Sequence, residues 1–250
     1  MTYNLKWVEI HNFSRTYIHL KILTILILTN QENLFTLINQ TVTKTHENLS
    51  VYTTIEGRDV LAVRSSHEFE PEWLKLLQEI QQKAIILVGQ LPPMLNSGDD
   101  DDNEEWKAMK EWLDKQSKGS MVYVAFESEA KLSQAEVTEI ALGLELSKLP
   151  FFWALRMRCC LADTDVVVLP DGFEDKMKGR GVVWMSWAPQ LKILSHDSVG
   201  GFLSHSGWSL MVEAMQFEKA LILLIFLAEQ GLISGLIEDK KMSYSVPRDK

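Results

Sequence analysis

The chain has 250 residues, 46% hydrophobic, 24% charged and 9% aromatic, the composition of a globular protein with one large domain or two small ones. With 34 acidic against 25 basic residues its formal charge is −9, which excludes the basic footprint that nucleic acid or an anionic lipid surface demands. Six acidic residues sit in one run, Asp99 to Asp102 with Glu104 and Glu105, and without them the remainder carries only −3.

The two cysteines, Cys159 and Cys160, are adjacent, a spacing that disfavours a mutual disulfide and supplies no metal pattern. A reducing, cytoplasmic setting is the expectation. The longest uncharged apolar runs, Ile22 to Thr29 and Ala220 to Ala228, fall far short of the roughly 20 residues of a membrane-spanning helix, so no transmembrane segment is predicted. Nor does the N-terminus read as a signal peptide, which leaves the sequons at Asn12, Asn39 and Asn48 as chance matches.

In chain order, the first fifty or so residues are rich in Thr, Asn and Ile, and their pattern specifies no unit. From Asp59 the texture becomes regular. Asp59 to Val63 reads as a strand, Pro71 to Gln81 as a helix with Trp73, Leu74, Leu77 and Ile80 on one face, and Ala84 to Val88 as a strand. Pro92-Pro93 ends that block. The polar, acidic stretch beyond it repels itself and stays hydrated, which marks a linker and a domain boundary. It lacks the alternating ligands and central Gly of a calcium loop.

Glu105 to Gln116 then predicts a helix whose Met109, Trp112 and Leu113 are core, and Met121 to Phe126 a buried strand. Ser133 to Ser147 predicts a helix opened by a capping box of Ser133 and Glu136. Phe151 to Leu155, Val182 to Trp184, Gly200 to Leu203 and Leu221 to Phe226 are further strands. Apolar strands alternating with amphipathic helices indicate a doubly wound α/β fold with a parallel sheet. Such sheets bind ligands beyond the carboxyl ends of their strands.

Chemistry concentrates between Trp187 and Gln230. The segment opens with Trp187-Ala188-Pro189-Gln190, passes His196 and Gly200-Gly201, and continues through His205-Ser206-Gly207-Trp208-Ser209 and Glu213 to Glu229-Gln230. The residues from Ser206 to Ser209 join a strand to a helix, whose free N–H groups and positive end suit a diphosphate. Gly207 lets the backbone come close, His205 can donate from a ring nitrogen, Glu213 can accept from a ribose, and Trp187 offers a flat face to a base. His205 and Glu213 without a third ligand are weak evidence for a metal. His196 reads as a loop or packing residue. No Gly-x-Gly-x-x-Gly or Walker-type loop occurs.

This segment resembles the signature box of the plant UDP-dependent glycosyltransferases of secondary metabolism: Trp-Ala-Pro-Gln, then His-x-Gly-Trp, a Glu, and a closing acidic residue followed by Gln. The intervals from Trp187 of 18 positions to His205, 26 to Glu213 and 43 to Gln230 match that box. Arg64-Ser65-Ser66, Glu68 to Trp73 and Gly231-Leu232 are most similar to branch-forming members of the soyasaponin and flavonoid-glycoside rhamnosyltransferase type.

The resemblance implies a GT-B fold with two Rossmann-like domains. On that reading residues 1–55 are unassigned, 56–95 are a remnant of the acceptor domain, 96–105 the acidic linker and 106–250 the donor-binding domain, short of its last helices. Trp187 would stack on uracil and Ala188 would bond the base through its backbone. Gln190 and Glu213 belong to the nucleotide side, with Glu213 on the ribose. His205, Gly207, Trp208 and Ser209 would surround the diphosphate, Ser128 would reach it from the opposite loop, and Glu229 and Gln230 would bond the sugar. The implied reaction is inverting transfer of a hexose or rhamnose from a UDP-sugar to a hydroxyl of a flavonoid or triterpenoid glycoside, with no metal or cofactor.

Departures accompany the match. No family-type base His or Asp partner is found, and neither His11, His19 nor His46 can be given that role. Leu210 replaces a Ser that meets phosphate, Glu218 and Ile233 replace Gly and Asn, and Glu127 replaces a Gly beside the phosphate loop, where a carboxylate would repel the diphosphate. A chain truncated relative to the family and inert in transfer while still binding UDP is therefore one alternative. An unrelated Rossmann-like oxidoreductase is another.

Overall fold

The computed structural model describes residues 4–9, 24–29, 59–95, 103–126, 132–155, 167–226 and 228–247. The chain divides into two compact units, Met1–Leu91 and Pro92–Lys250.

Unit 1 holds a four-stranded sheet in the order β1 (Asn4–Glu9), β2 (Thr24–Thr29), β3 (Val60–Val63), β4 (Ala84–Leu87). The β1–β2 and β2–β3 pairs are antiparallel and β3–β4 is parallel. Two strands thus lie inside the stretch whose pattern specifies no unit: β2 falls within the apolar run Ile22 to Thr29, and β1 is ordered by pairing with it. Helix α1 (Pro71–Gln81) crosses between the parallel strands, with Pro71 at its first turn where no N–H is needed. Leu74 and Leu77 are buried, whereas Ile80 is 44% exposed and Trp73 half-buried. Trp73 and Ile80 are seven residues apart, hence nearly in line and about 100° round the helix from Leu74, so they form the margin of the apolar face.

Unit 2 is a six-stranded sheet in the order β10 (Ser243–Ser245), β9 (Ala220–Leu223), β8 (Val199–Ser204), β5 (Met121–Ala125), β6 (Phe151–Ala154), β7 (Gly181–Trp184). Every neighbouring pair is parallel. All five residues of β5 and all four of β6 are buried, as a strand covered on both faces requires. Side chains alternate between two layers. Val122, Val124, Phe151 and Trp153 pack with Val137, Ile140 and Leu144 of helix α3 (Gln134–Ser147) and with Phe173 and Met177 of the short α4 (Phe173–Met177). On the other layer Tyr123 stacks on Phe202 at 5.3 Å, and Phe152 meets Trp112 of helix α2 (Glu104–Asp114) at 6.1 Å. Helices on both faces of a parallel sheet make the unit a doubly wound α/β fold.

The predicted capping box opens α3: Ser133 Oγ accepts from the Glu136 N–H, and the Ser133 N–H donates to the Glu136 carboxylate at 2.9 Å. Helices α5 (Gln190–Ser195), α6 (Trp208–Gln216) and α7 (Ala228–Asp239) complete the described elements. Strand β9 is shorter than its apolar run predicts. Its partner β8 ends at Ser204, opposite Leu223, and after one more bond, from the Leu224 N–H to the Ser204 carbonyl at 2.9 Å, the chain leaves the sheet.

Candidate functional site

The strand order reverses between β5 and β8, because the chain leaves β5 towards β6 and β7 and returns on its other side. Two connections that diverge from adjacent strands leave a crevice at their carboxyl ends, where such sheets bind ligands. The segment singled out by sequence borders it. Strand β8 runs out at Ser204, whose hydroxyl donates to the Ala125 carbonyl at the end of β5 at 2.6 Å. His205 and Ser206 follow, both buried, and the Gly207 N–H turns back to the His205 carbonyl at 2.9 Å.

Helix α6 begins immediately after Gly207, with no side-chain cap and no acidic residue in its first turn. Its leading N–H groups and dipole therefore meet no side-chain competition from a cap, the condition for receiving an anion. Ser209 is exposed in that turn. Trp208 is buried. Leu210, at the position where a hydroxyl was expected by resemblance, is also buried.

Trp187 lies beyond the carboxyl end of β7 and is 54% exposed, while the adjacent Ala188 is buried. Its ring is therefore open to solvent after that strand. Its backbone is anchored, since Trp184 Nε1 donates to the Trp187 carbonyl at 3.2 Å. Three residues on, Gln190 opens α5 and its Nε2 donates to the Glu213 carboxylate at 2.6 Å. This bond joins α5 to α6.

The last contributor is Gln230 in the first turn of α7. Its Oε1 accepts the Phe226 N–H at 2.9 Å, and its backbone carbonyl accepts the Ser206 hydroxyl. Sequence spacing alone did not single out Ser206 or Phe226. The motif gives neither a role of its own: Ser206 acts through its hydroxyl on a backbone carbonyl, and Phe226 through its backbone N–H.

The structure thus gathers Trp187, Ala188, Gln190, His205, Gly207, Trp208, Ser209, Glu213 and Gln230 along one edge of unit 2. Ser128 and Glu127 lie outside the described residues, as do His11, His19, His46, Cys159 and Cys160, and so does the side chain of Glu229. His196 sits at the opposite end of β8, where its ring bonds Ser198 Oγ at 2.8 Å and Asp114 at 3.0 Å. Among the described residues no group of three or more His, Cys, Asp or Glu side chains is placed to hold a metal ion, and no helix is long and apolar enough to cross a membrane.

The fold and this edge define an α/β class of protein with a doubly wound parallel sheet. Comparison with known proteins narrows it. The family described as UDP-glucoronosyl and UDP-glucosyl transferase matches residues 91–239, and the chain belongs to that family. UDP-glycosyltransferase 91A1 of Arabidopsis thaliana is 50% identical over 196 residues, 78% of this chain and 42% of its own length. Soyasaponin III rhamnosyltransferase of Glycine max is 43% identical over 195 residues, 77% of this chain and 40% of its own. The chain therefore spans about two fifths of the length of these relatives. Among solved structures, Phytolacca americana UGT2 complexed with UDP-2fluoro-glucose and pterostilbene superposes with a TM-score of 0.65 at 31% identity, covering 81% of this chain and 42% of that one. Its fold is the GT-B type implied by the signature box, and the oxidoreductase alternative falls away.

Proposed function

We propose that unit 2 binds the nucleotide of a UDP-sugar and serves glycosyl transfer to a hydroxyl of a plant secondary metabolite or its glycoside. The observation that carries this is the convergence, at one sheet edge, of the exposed Trp187, the Gln190–Glu213 pair and the uncapped start of α6. A uracil stacks on the Trp187 ring and bonds the Ala188 backbone. The ribose hydroxyls meet Glu213, whose carboxylate Gln190 already orients. The diphosphate takes the N–H groups that follow Gly207, with Ser209, His205 and, from the opposite loop, Ser128. The sugar faces Glu229 and Gln230.

In this reaction the oxygen of an acceptor hydroxyl bonds to the anomeric carbon as that carbon's bond to the diphosphate breaks, with inversion; UDP leaves as the anion and the hydroxyl proton is released. Charge accumulates on the leaving diphosphate, and a fixed helix N-terminus stabilises it more than it stabilises the ground state, which is how such a dipole lowers a barrier. Neither metal nor cofactor has a part in this scheme. The donor is a UDP-hexose or UDP-rhamnose, the acceptor a flavonoid or triterpenoid glycoside, and the setting cytoplasmic.

Calorimetric titration of the 250-residue chain with UDP tests the reading. Base stacking on an aromatic face contributes about 1–3 kcal/mol, so Trp187→Ala should weaken UDP about tenfold or more. Because Trp187 is more than half exposed, the variant should keep its thermal midpoint. No UDP binding by the parent chain, or an unchanged Kd in the variant, overturns the assignment.

A further inference from the structure

Gln230 is held at both of its ends by groups outside its own helix. Phe226 supplies a backbone N–H, which can only donate, so the side-chain atom 2.9 Å from it is Oε1, and Nε2 lies on the other branch of the amide. The main-chain carbonyl of Gln230 is held by the hydroxyl of Ser206, a residue with no exposed surface in the turn that precedes α6. That turn is tight, closed by the Gly207 N–H on the His205 carbonyl at 2.9 Å. One loop therefore shapes both the start of α6, where the diphosphate is read to bind, and the first turn of α7, where the sugar is read to bind.

We infer that Ser206 is a positioning residue for the donor's sugar: its hydroxyl sets the first turn of α7 relative to the α6 turn and so places the Gln230 amide. The inference rests on the reading of Gln230 as a sugar contact. UDP alone ends at the α6 turn and does not need Gln230, whereas a UDP-sugar engages both ends of the latch. Loss of the Ser206 hydroxyl should therefore weaken a UDP-sugar more than UDP.

Ser204 provides the control. It is equally buried, lies two residues earlier, and makes the same kind of bond, hydroxyl to backbone carbonyl, but to Ala125 rather than to α7. Ser204→Ala loosens the same loop without touching Gln230.

The experiment is titration of the 250-residue chain and its Ser206→Ala and Ser204→Ala variants with UDP and with UDP-glucose, with thermal unfolding recorded for each. A hydrogen bond of this kind is worth about a fivefold change in an equilibrium, so the ratio of UDP-glucose to UDP affinity should fall about fivefold in Ser206→Ala and stay at the parent value in Ser204→Ala. Ser206→Cys, which restores a weak donor in a buried position, should recover part of the ratio. Equal loss for both ligands in Ser206→Ala, or the same selective loss in Ser204→Ala, overturns the positioning role while leaving the nucleotide site standing. Failure of the parent chain to bind UDP overturns the site and the inference together. If Ser206→Ala does not fold, the Ser206→Cys ratio decides: a value at or above the parent's overturns the inference, and a reduced one upholds it.

Discussion

Glu218 carries a φ of +55°, a left-handed conformation in which a Cβ crowds the backbone. It is there because α6 ends in a Schellman motif. The Lys219 N–H reaches back to the Ala214 carbonyl at 3.1 Å and the Glu218 N–H to Met215 at 3.0 Å. Those bonds satisfy two helix-end carbonyls, and only a left-handed residue lets both form. Signature boxes of the kind this chain resembles have Gly at that position, and Glu keeps the geometry at a cost. Glycine would remove about 1–2 kcal/mol of steric penalty and give back part of it through a freer unfolded chain. Glu218→Gly should therefore raise stability by about 0.5–1 kcal/mol, seen as a higher midpoint in urea, and a lower midpoint would show the Glu side chain to be a net stabiliser there.

At the scale of elements, the β5–β8 pairing is irregular at the end of the strands away from the site. Its register shifts between Met121 and Val122, so that Val199 pairs with Met121 and Gly201 with Val122 while Gly200 is left over. A Cβ on Gly200 would stand 2.1 Å from the Gly119 carbonyl oxygen, a backbone atom that cannot swing aside. Gly200→Ala should destabilise by about 1–3 kcal/mol, as overpacking does, with a matching fall in denaturant midpoint; a neutral result would mean that the register at this irregularity slides freely.

The same end of β8 is tied to α2. Asp114 receives Lys110 at 2.8 Å and His196 at 3.0 Å, and these bonds, Lys110's first, hold its carboxyl below the ordinary value of 3.8. A folded-state value below the unfolded one means that the unfolded chain binds more protons in that interval. The contact therefore adds stability above the unfolded pKa and loses it as pH falls through the folded one. Asp114→Asn should be less stable than the parent at neutral pH and converge with it in strong acid, where both carry a neutral side chain. A gap that is constant with pH would show the bond to owe nothing to ionisation.

For the molecule as a whole, unit 2 has its own sheet, its own two-layer core and the complete described edge of the candidate site. A unit with its own core is one that can fold alone. Residues 92–250 produced by themselves should unfold in one cooperative transition and bind UDP as the 250-residue chain does, measured by circular dichroism and calorimetry. A non-cooperative melt would show that unit 2 depends on residues of unit 1.

What the order of amino acids determined by itself was whatever rests on local chemistry or on strict spacing. The all-apolar runs of β5 and β6 declared strands buried on both faces, Ser133 and Glu136 declared the start of α3, and the 44-residue box from Trp187 to Gln230 placed each polar group at a fixed distance from a strand end. Tertiary structure alone decided the rest. Strand β10 is Ser-Tyr-Ser, with no apolar signal, and exists because β9 offers it an edge. Strand β1 likewise exists through pairing with β2, which itself falls within the apolar run Ile22 to Thr29. The bonds from Ser206 and Phe226 to Gln230 span 24 and four residues and end on or start from backbone atoms, which every residue possesses, so no residue type could announce them. Periodicity records which side of an element meets the core, whereas the partner across a loop is fixed only once the sheet has brought the two strand ends together.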